Sequence, residues 1–410
     1  MALTVAGNAA PQSTGNSAPA QDNSRNATPA IPFPRASRRK SILAWQTASA
    51  VLGASAVPVP PIQIPAAGHL AGVEMLVNIA TTGNATTTTA PTGITDTPWS
   101  VFNQISVVNA AGDNIVSPID GYALYLINKY GAFRGQPPFV DPRRDPYFSA
   151  LTTGAGATAP TGQFRLFIPF EIDPSQAFCA VPNLAANKAY ILQLQLNPLA
   201  SLYAGAGGNG TQSAAGVTTV TITLISHYWS VPAAMNAGGV PQQQAPTGSG
   251  SVALWQIEPA PVTPGDKLVQ LHNVGNVIRE GIFVLRTATG FRTSADWPAL
   301  SQIVLNNDLM EYKPTAAWQA EMAERFGYNT GAIDTAGGLD SGVFVWSAPL
   351  MGENLLSSPS NARDPYLITQ DATLLQIRGT SFGASASTLQ MYTNAVKPIS
   401  AAALYEPHVR

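Results

Sequence analysis

The sequence predicts an all-β protein of two tandem strand-rich halves, each with one short helix, behind a flexible N-terminal arm. Three observations carry that prediction. Segments of the chain recur about 200 residues later. Runs of alternating, β-branched or aromatic residues are bounded by Gly, Pro or Asn, as strands are. No helical patterns alternate with those runs, which argues against a parallel α/β sheet and for sandwiches or jelly rolls.

The repeat has two parts. Ile62-Gln63-Ile64, Gly68 and the run from Val73 to Gly83 recur 207 residues later as Val269-Gln270-Leu271, Gly275 and the run from Glu280 to Gly290, which sets Val77 against Val284. The segment Pro118 to Gly131 recurs 196 residues later as Pro314 to Gly327, with an aromatic four residues after the Pro (Tyr122, Trp318), a cation two before the Gly (Lys129, Arg325) and an aromatic one before it (Tyr130, Phe326). Each copy predicts a helix whose Pro lies in the first turn and whose Gly forms a left-handed cap. The cations sit where the helix dipole favours them. The longer Thr-rich segment from Gly83 to Pro98 absorbs the difference between the two offsets.

Element by element, residues 1 to about 34 are small and polar with almost no large apolar side chains, so they predict an arm that cannot repay its own ordering entropy. Arg35, Arg38, Arg39 and Lys40 follow, the densest positive charge in the chain. The uncharged stretch Ser41 to Val57, carrying Ile42, Leu43, Trp45, Val51 and Leu52, predicts a short helix that closes an N-terminal region of residues 1–57. A first β unit spans 58–235, with strands at Phe102–Val107, Phe164–Ile172, Tyr190–Leu196 and Val217–Ile225. A Gly/Pro/Gln-rich linker spans 236–250. The second unit, 251–400, has strands at Val252–Ile257, Lys267–Leu271, Ile282–Arg286, Ile303–Leu305, Val343–Trp346, Thr373–Arg378 and Thr388–Tyr392, and 401–410 is a tail.

Composition narrows the function classes. A chain of 410 residues suits two domains better than one core. Charged residues are 11%, against about 25% in typical domains, and burial of surface against further copies of the chain is one way to accommodate that, because obligate interfaces are poor in charge. A neutral secreted protein with polar loops fits the same composition. The net charge is −2 with no basic stripe beyond the N-terminal cluster, so direct nucleic-acid binding is not expected. The single Cys179 forms no intrachain disulfide and reads as packing. No secretory signal is visible after Met1. No apolar run reaches the roughly 20 residues that span a bilayer.

Several motifs promise chemistry that their surroundings do not support. Gly379-Thr-Ser-Phe-Gly383 has the spacing of a nucleophile elbow, yet a loop and strand follow it where a helix is needed. Gly205 to Gly210 matches a dinucleotide fingerprint without a βαβ unit around it. His69, His227, His272 and His408 are scattered singly, so no metal-ligand spacing exists and they read as structural histidines. Arg144-Asp-Pro-Tyr147 and Arg363-Asp-Pro-Tyr366 read as rigid loop corners. No catalytic, cofactor or metal residue is expected.

The order of elements, Gly68 with its strand, the Phe102–Val107 strand, the Gly121 to Gly131 helix, the Tyr190–Leu196 strand and the late Ile225-Ser-His-Tyr-Trp229 strand followed by a second copy, resembles the double jelly-roll major capsid proteins of tectivirus-type phages, which are tail-less and icosahedral with an internal membrane. The resemblance covers about residues 58 to 400. It implies two tandem eight-stranded jelly rolls and a structural rather than enzymatic protein, located in the virion and assembled in the host cytoplasm. It further implies pseudo-hexagonal homotrimers that tile a shell beside neighbouring trimers, penton and minor capsid proteins. The family's N-terminal region faces the inner side of the shell, which makes Arg35, Arg38, Arg39, Lys40 and Trp45 the candidate contact with the viral membrane, cations to headgroups and Trp at the interface; a helix packed on its own or a neighbouring subunit is the equal alternative. Two other readings stay open: a secreted two-domain carbohydrate-binding or adhesin protein, and a bicupin-type enzyme.

Overall fold

The structure is a computed structural model that describes residues 29–46, 50–82, 92–93, 96–109, 111–131, 146–149, 161–172, 176–186, 189–204, 217–246, 252–288, 290, 292–294, 296–326, 342–347, 367–369, 372–383 and 387–397. The first half contains α1 (Phe33–Ala36), β1 (Arg39–Gln46), β2 (Ala50–Leu52), β3 (Val57–Gln63), β4 (Gly68–Thr82), β5 (Thr92–Gly93), β6 (Phe102–Val108), β7 (Asn114–Ile119), α2 (Gly121–Tyr130), β8 (Thr161–Pro169), β9 (Val181–Asn183), β10 (Ile191–Leu196), β11 (Tyr203–Ala204) and β12 (Val217–Trp229). The second contains β13 (Val252–Val262), β14 (Gly265–Leu271), β15 (Val277–Thr287), β16 (Leu300–Leu305), β17 (Asp308–Pro314), α3 (Thr315–Phe326), β18 (Val343–Ser347), β19 (Leu367–Ile368), β20 (Leu375–Phe382) and β21 (Ser387–Lys397).

These strands make two jelly rolls of eight principal strands each. In the first, the layer β1-β12-β4-β8 packs against β7-β6-β10-β3; in the second, β13-β21-β15-β18 packs against β14-β20-β16-β17. The halves are topologically identical, so β1 corresponds to β13, β7 to β17, α2 to α3 and β12 to β21. One nine-stranded sheet crosses from roll to roll, because β13 lies parallel beside β7 with Trp255 opposite Val116.

Period-two alternation builds the first core. Val73, Met75, Val77 and Ile79 of β4, Val220, Ile222 and Leu224 of β12, and Leu192, Leu194 and Leu196 of β10 all point into it. The layer β13-β21-β15-β18 is different, being buried on both faces. Ala253, Trp255, Ile282, Val284, Val343, Val345, Tyr392 and Val396 join the first roll's cluster, while Phe283, Leu285, Phe344, Trp346, Leu389 and Met391 join the second roll's own core. Strands buried on both sides read as continuous apolar runs, which is how Ile282-Phe-Val-Leu285 reads.

Four expectations need correction. The segment from Ser41 onward is strand, not helix: β1 pairs antiparallel with β12, and β2 pairs with β12 as well. A register shift between Leu43 and Trp45 breaks the alternation, so Ile42 and Trp45 fall on one face at a helix-like spacing. Val77 and Val284 are not equivalent, since Val77 pairs with Ile222 inside the first core whereas Leu285 pairs with Leu389 inside the second. Both strands carry a bulge, at Ala71 and at Arg279, but it comes one residue later after Gly275 than after Gly68, and one residue of slip reverses every side chain. Pro118 lies within β7, and α2 begins after Asp120, whose carboxylate accepts from the Ala123 amide at 2.6 Å. Gly131 ends α2 at φ −74°, ψ −8°, right-handed, and its carbonyl accepts from Arg279 Nη2 at 3.2 Å. The expectations for residues 1–28 and 401–410 lie outside the described residues.

Candidate functional site

The N-terminal segment folds onto the first roll. Phe33 is fully buried beside His69 and Trp229, and the Ile31 amide donates to the Pro241 carbonyl at 2.9 Å, so the chain's entry and the segment read as a linker hold each other. β1 then forms the outer edge of the layer. Arg35, Arg38, Arg39 and Lys40 are all exposed. Arg39 is anchored: its Nη2 donates to Glu171 Oε1 at 2.6 Å, and its guanidinium lies 4.5 Å from the Trp229 ring centre. Glu171, 5% exposed, also accepts from Trp229 Nε1 at 2.7 Å. Trp45 is partly buried and packs against the first core, whereas the four cations are exposed.

The outward face of this layer is polar. Glu74 accepts from Arg165 Nη1 at 3.1 Å and lies 2.8 Å from His227 Nε2, and His227 Nδ1 lies 3.0 Å from Ser41 Oγ. These four residues tie β8, β4, β12 and β1 into one charged strip, which lone-residue reasoning about His227 did not reveal.

The seam between the rolls is the other concentration of charge. Asp96 of the first roll accepts from Arg286 Nη1 at 2.7 Å and from Arg292 Nε at 2.6 Å, both from the second roll, and all three side chains are largely buried. The Arg292 and Arg286 guanidinium groups lie 4.5 and 5.6 Å from the Tyr122 ring centre of α2. Burial pushes the Asp120 carboxyl above its usual range, against the pull of Arg286 and the Ala123 amide. Burial also raises the Tyr392 hydroxyl. Although burial works against its charge, Arg286 holds its proton more firmly than usual because of Asp96, Tyr392 and Asp120. Arg279 adds hydrogen bonds to Asn394 Oδ1 at 2.7 Å and Glu280 Oε2 at 2.9 Å. Asp96 lies in the Thr-rich segment from Gly83 to Pro98, and its partners are some 190 residues away, so only the fold joins them.

The chemistry of the remaining candidates is modest. His69 is buried, its Nδ1 has no partner in the structure, and burial lowers its pKa. His272 pairs with Glu258 at the surface. Cys179 is buried. Gly379 to Phe382 belong to β20, and Gly383 donates to the Asp296 carbonyl at 3.0 Å, with β21 next in sequence. Among the described residues no three His, Cys, Asp or Glu side chains come together as a metal site would require.

No protein-family model matches this sequence, and no curated protein matches it in a sequence search. Solved structures do. The chain is similar to the crystal structure of the major capsid protein of Sulfolobus turreted icosahedral virus, with TM-score 0.58, 10% identity, and coverage of 90% of this chain and 99% of that one. It is similar to the Faustovirus major capsid protein, with TM-score 0.51, 11% identity, and coverage of 88% and 90%. The PBCV-1 virus capsid matches with TM-score 0.50, 11% identity, and coverage of 88% and 93%. The chain therefore has the two-roll fold of these proteins along nearly its whole length.

Proposed function

We propose that this chain is a structural, non-enzymatic major capsid protein, organised as an N-terminal region (1–57), a first roll (58–235), a linker (236–250), a second roll (251–400) and a tail (401–410). Three copies form a pseudo-hexagonal homotrimer, and trimers tile an icosahedral shell in the virion with penton and minor capsid proteins at special positions. The observation that carries this reading is the end-to-end match of both rolls to coat proteins that are almost completely covered in return. The low charge content supports it, since a tile has few free sides.

Within that reading the shell is of the tectivirus type, with the exposed cations Arg35, Arg38 and Lys40 directed at an internal membrane. Anionic headgroups attract such clusters at about 1 kcal/mol per cation near the surface. Light scattering on the purified chain tests the assembly. A mass near 128 kDa, three times 42.8 kDa, is expected, and a stable monomer at micromolar concentration overturns it.

A further inference from the structure

A small pocket, separate from both large cores, seats the N-terminal segment. Phe33 clusters there with Ala71, Ala177, Ala180 and Trp229. Three of these four partners are alanines, so a single phenylalanine ring carries most of the contact. The polar ties around it are few: the Phe33 amide donates to Gln243 Oε1 at 3.1 Å, the Gln243 amide to the Ile31 carbonyl at 3.0 Å, and Ser37 Oγ to the Phe33 carbonyl at 2.7 Å. The grip of the sheet begins at Arg38, whose amide donates to Ser230 Oγ and whose carbonyl accepts from the Ser230 amide, both at 2.8 Å. Residues 31–37 can therefore leave as a unit while β1 stays paired.

One wall of that pocket is a histidine. His69 lies opposite Trp229 of β12 and Pro182 of β9, and it meets the Phe33 ring at 76° with the ring centres 5.2 Å apart. It is 3% exposed, and its Nδ1 is buried with no partner in the structure. Among the described residues, the charged and titratable groups on the surrounding elements are Arg35 of α1, Arg39 and Lys40 of β1, Glu74 of β4 itself, His227 and Tyr228 of β12, Glu171 after β8 and Cys179 before β9; β9 and the linker bring none. Glu171 is already engaged by Arg39 and by Trp229 Nε1. Arg35 and Arg39 have the sign that a protonated imidazole would have. Burial therefore keeps the His69 ring neutral while Phe33 is seated.

We infer that His69 makes this segment an acid-released latch: a proton on the buried ring unseats Phe33 and frees residues 31–37 from the first roll. An unpaired charge is costly in an apolar pocket, so the closed latch holds the neutral ring. Once the latch opens, the ring meets water and binds a proton with the ordinary pKa of about 6.5. Opening thus takes up a proton, so it is suppressed above that pH and favoured below it. Between pH 7.5 and 5.5 the balance shifts toward the open form by up to about tenfold. Freeing residues 31–37 lets the point from which the preceding chain departs move by up to roughly 25 Å, and Arg35 moves with it. The latch is independent of how copies of the chain assemble.

Hydrogen–deuterium exchange of the full chain, followed by mass spectrometry at pH 7.5 and 5.5 with each rate divided by the intrinsic rate at that pH, tests the latch. The reporters are the Arg35, Ala36 and Ser37 amides, which donate to the Pro32 and Phe33 carbonyls. Their protection should fall between about threefold and tenfold at pH 5.5, while β4 and β12 stay protected. His69→Gln, whose side chain is polar but does not titrate, should show the same protection at both pH values, and Phe33→Ala should leave the segment unprotected at both. A change below about threefold in the native chain overturns the latch. An undiminished pH response in His69→Gln assigns the proton to another group, such as Glu171 or His227, and overturns it too. So does a Phe33→Ala chain whose segment stays protected. Parallel loss of protection in β4 marks a general loosening of the roll and likewise overturns the inference.

Discussion

Replacing Asp96 with Asn removes one negative charge from the seam and little else. Asp96 sits at φ 76°, a conformation that Asn tolerates as readily as Asp, so backbone strain does not change. Both carboxylate oxygens are engaged, Oδ1 by Arg292 and Oδ2 by Arg286. An amide can satisfy one guanidinium and must turn its own N–H groups toward the other. The side chains are 11% (Asp96), 12% (Arg286) and 3% (Arg292) exposed, and breaking a buried ion pair from one side costs roughly 3–5 kcal/mol. Asp120 lies within the field of Arg286 and ionises more readily once Asp96 is neutral, which places the loss near the lower end, about 3 kcal/mol. For units of this size about 1 kcal/mol moves the midpoint by 2–4 °C, so thermal unfolding followed by circular dichroism should show a fall of roughly 6–12 °C. A shift below about 2 °C would refute the claim that this carboxylate holds the rolls together.

Glu171→Gln releases Arg39 and Trp229 together: a loss of about 1–3 kcal/mol is expected, and amides of Arg39 to Leu43 should exchange faster with deuterium while β4 stays protected. His69, with its pKa lowered by burial, stays neutral in the folded chain where the unfolded chain takes up a proton. Stability therefore falls as pH drops below about 6.5, by at most ~1.4 kcal/mol per unit, and melting at pH 7.5 and 5.5 should show a smaller difference for His69→Gln than for the native chain.

Much of the fold was legible because the repeat is written in local terms. The β3 and β14 segments keep Ile62 and Ile64, Val269 and Leu271 on inward positions at the predicted offset. What failed did so for identifiable reasons. The β1 segment has the sequence signature of a helix because its bulge disguises the alternation. β17 carries no strand signal because Asp308-Leu-Met-Glu-Tyr-Lys-Pro314 belongs to an edge, where charge replaces the apolar pattern of an inner strand. The equivalence of Val77 shifts by one, to Leu285, because a bulge position is set by pairing with β12 or β21, far away in sequence. The cation cluster was legible as composition, but that Glu171 would hold Arg39 depends on a loop that only the folded sheet brings near.

The second roll's doubly buried layer settles how the molecule can deform. Two-domain chains commonly keep a joint that flexes. Here a hinge would uncover Trp255, Ile282, Val284 and Tyr392 at once and break a sheet that runs through both halves. The chain thus behaves mechanically as one stiff plate. Bending in any larger structure it builds is confined to the lines where plates abut, and curvature is set by the angles there.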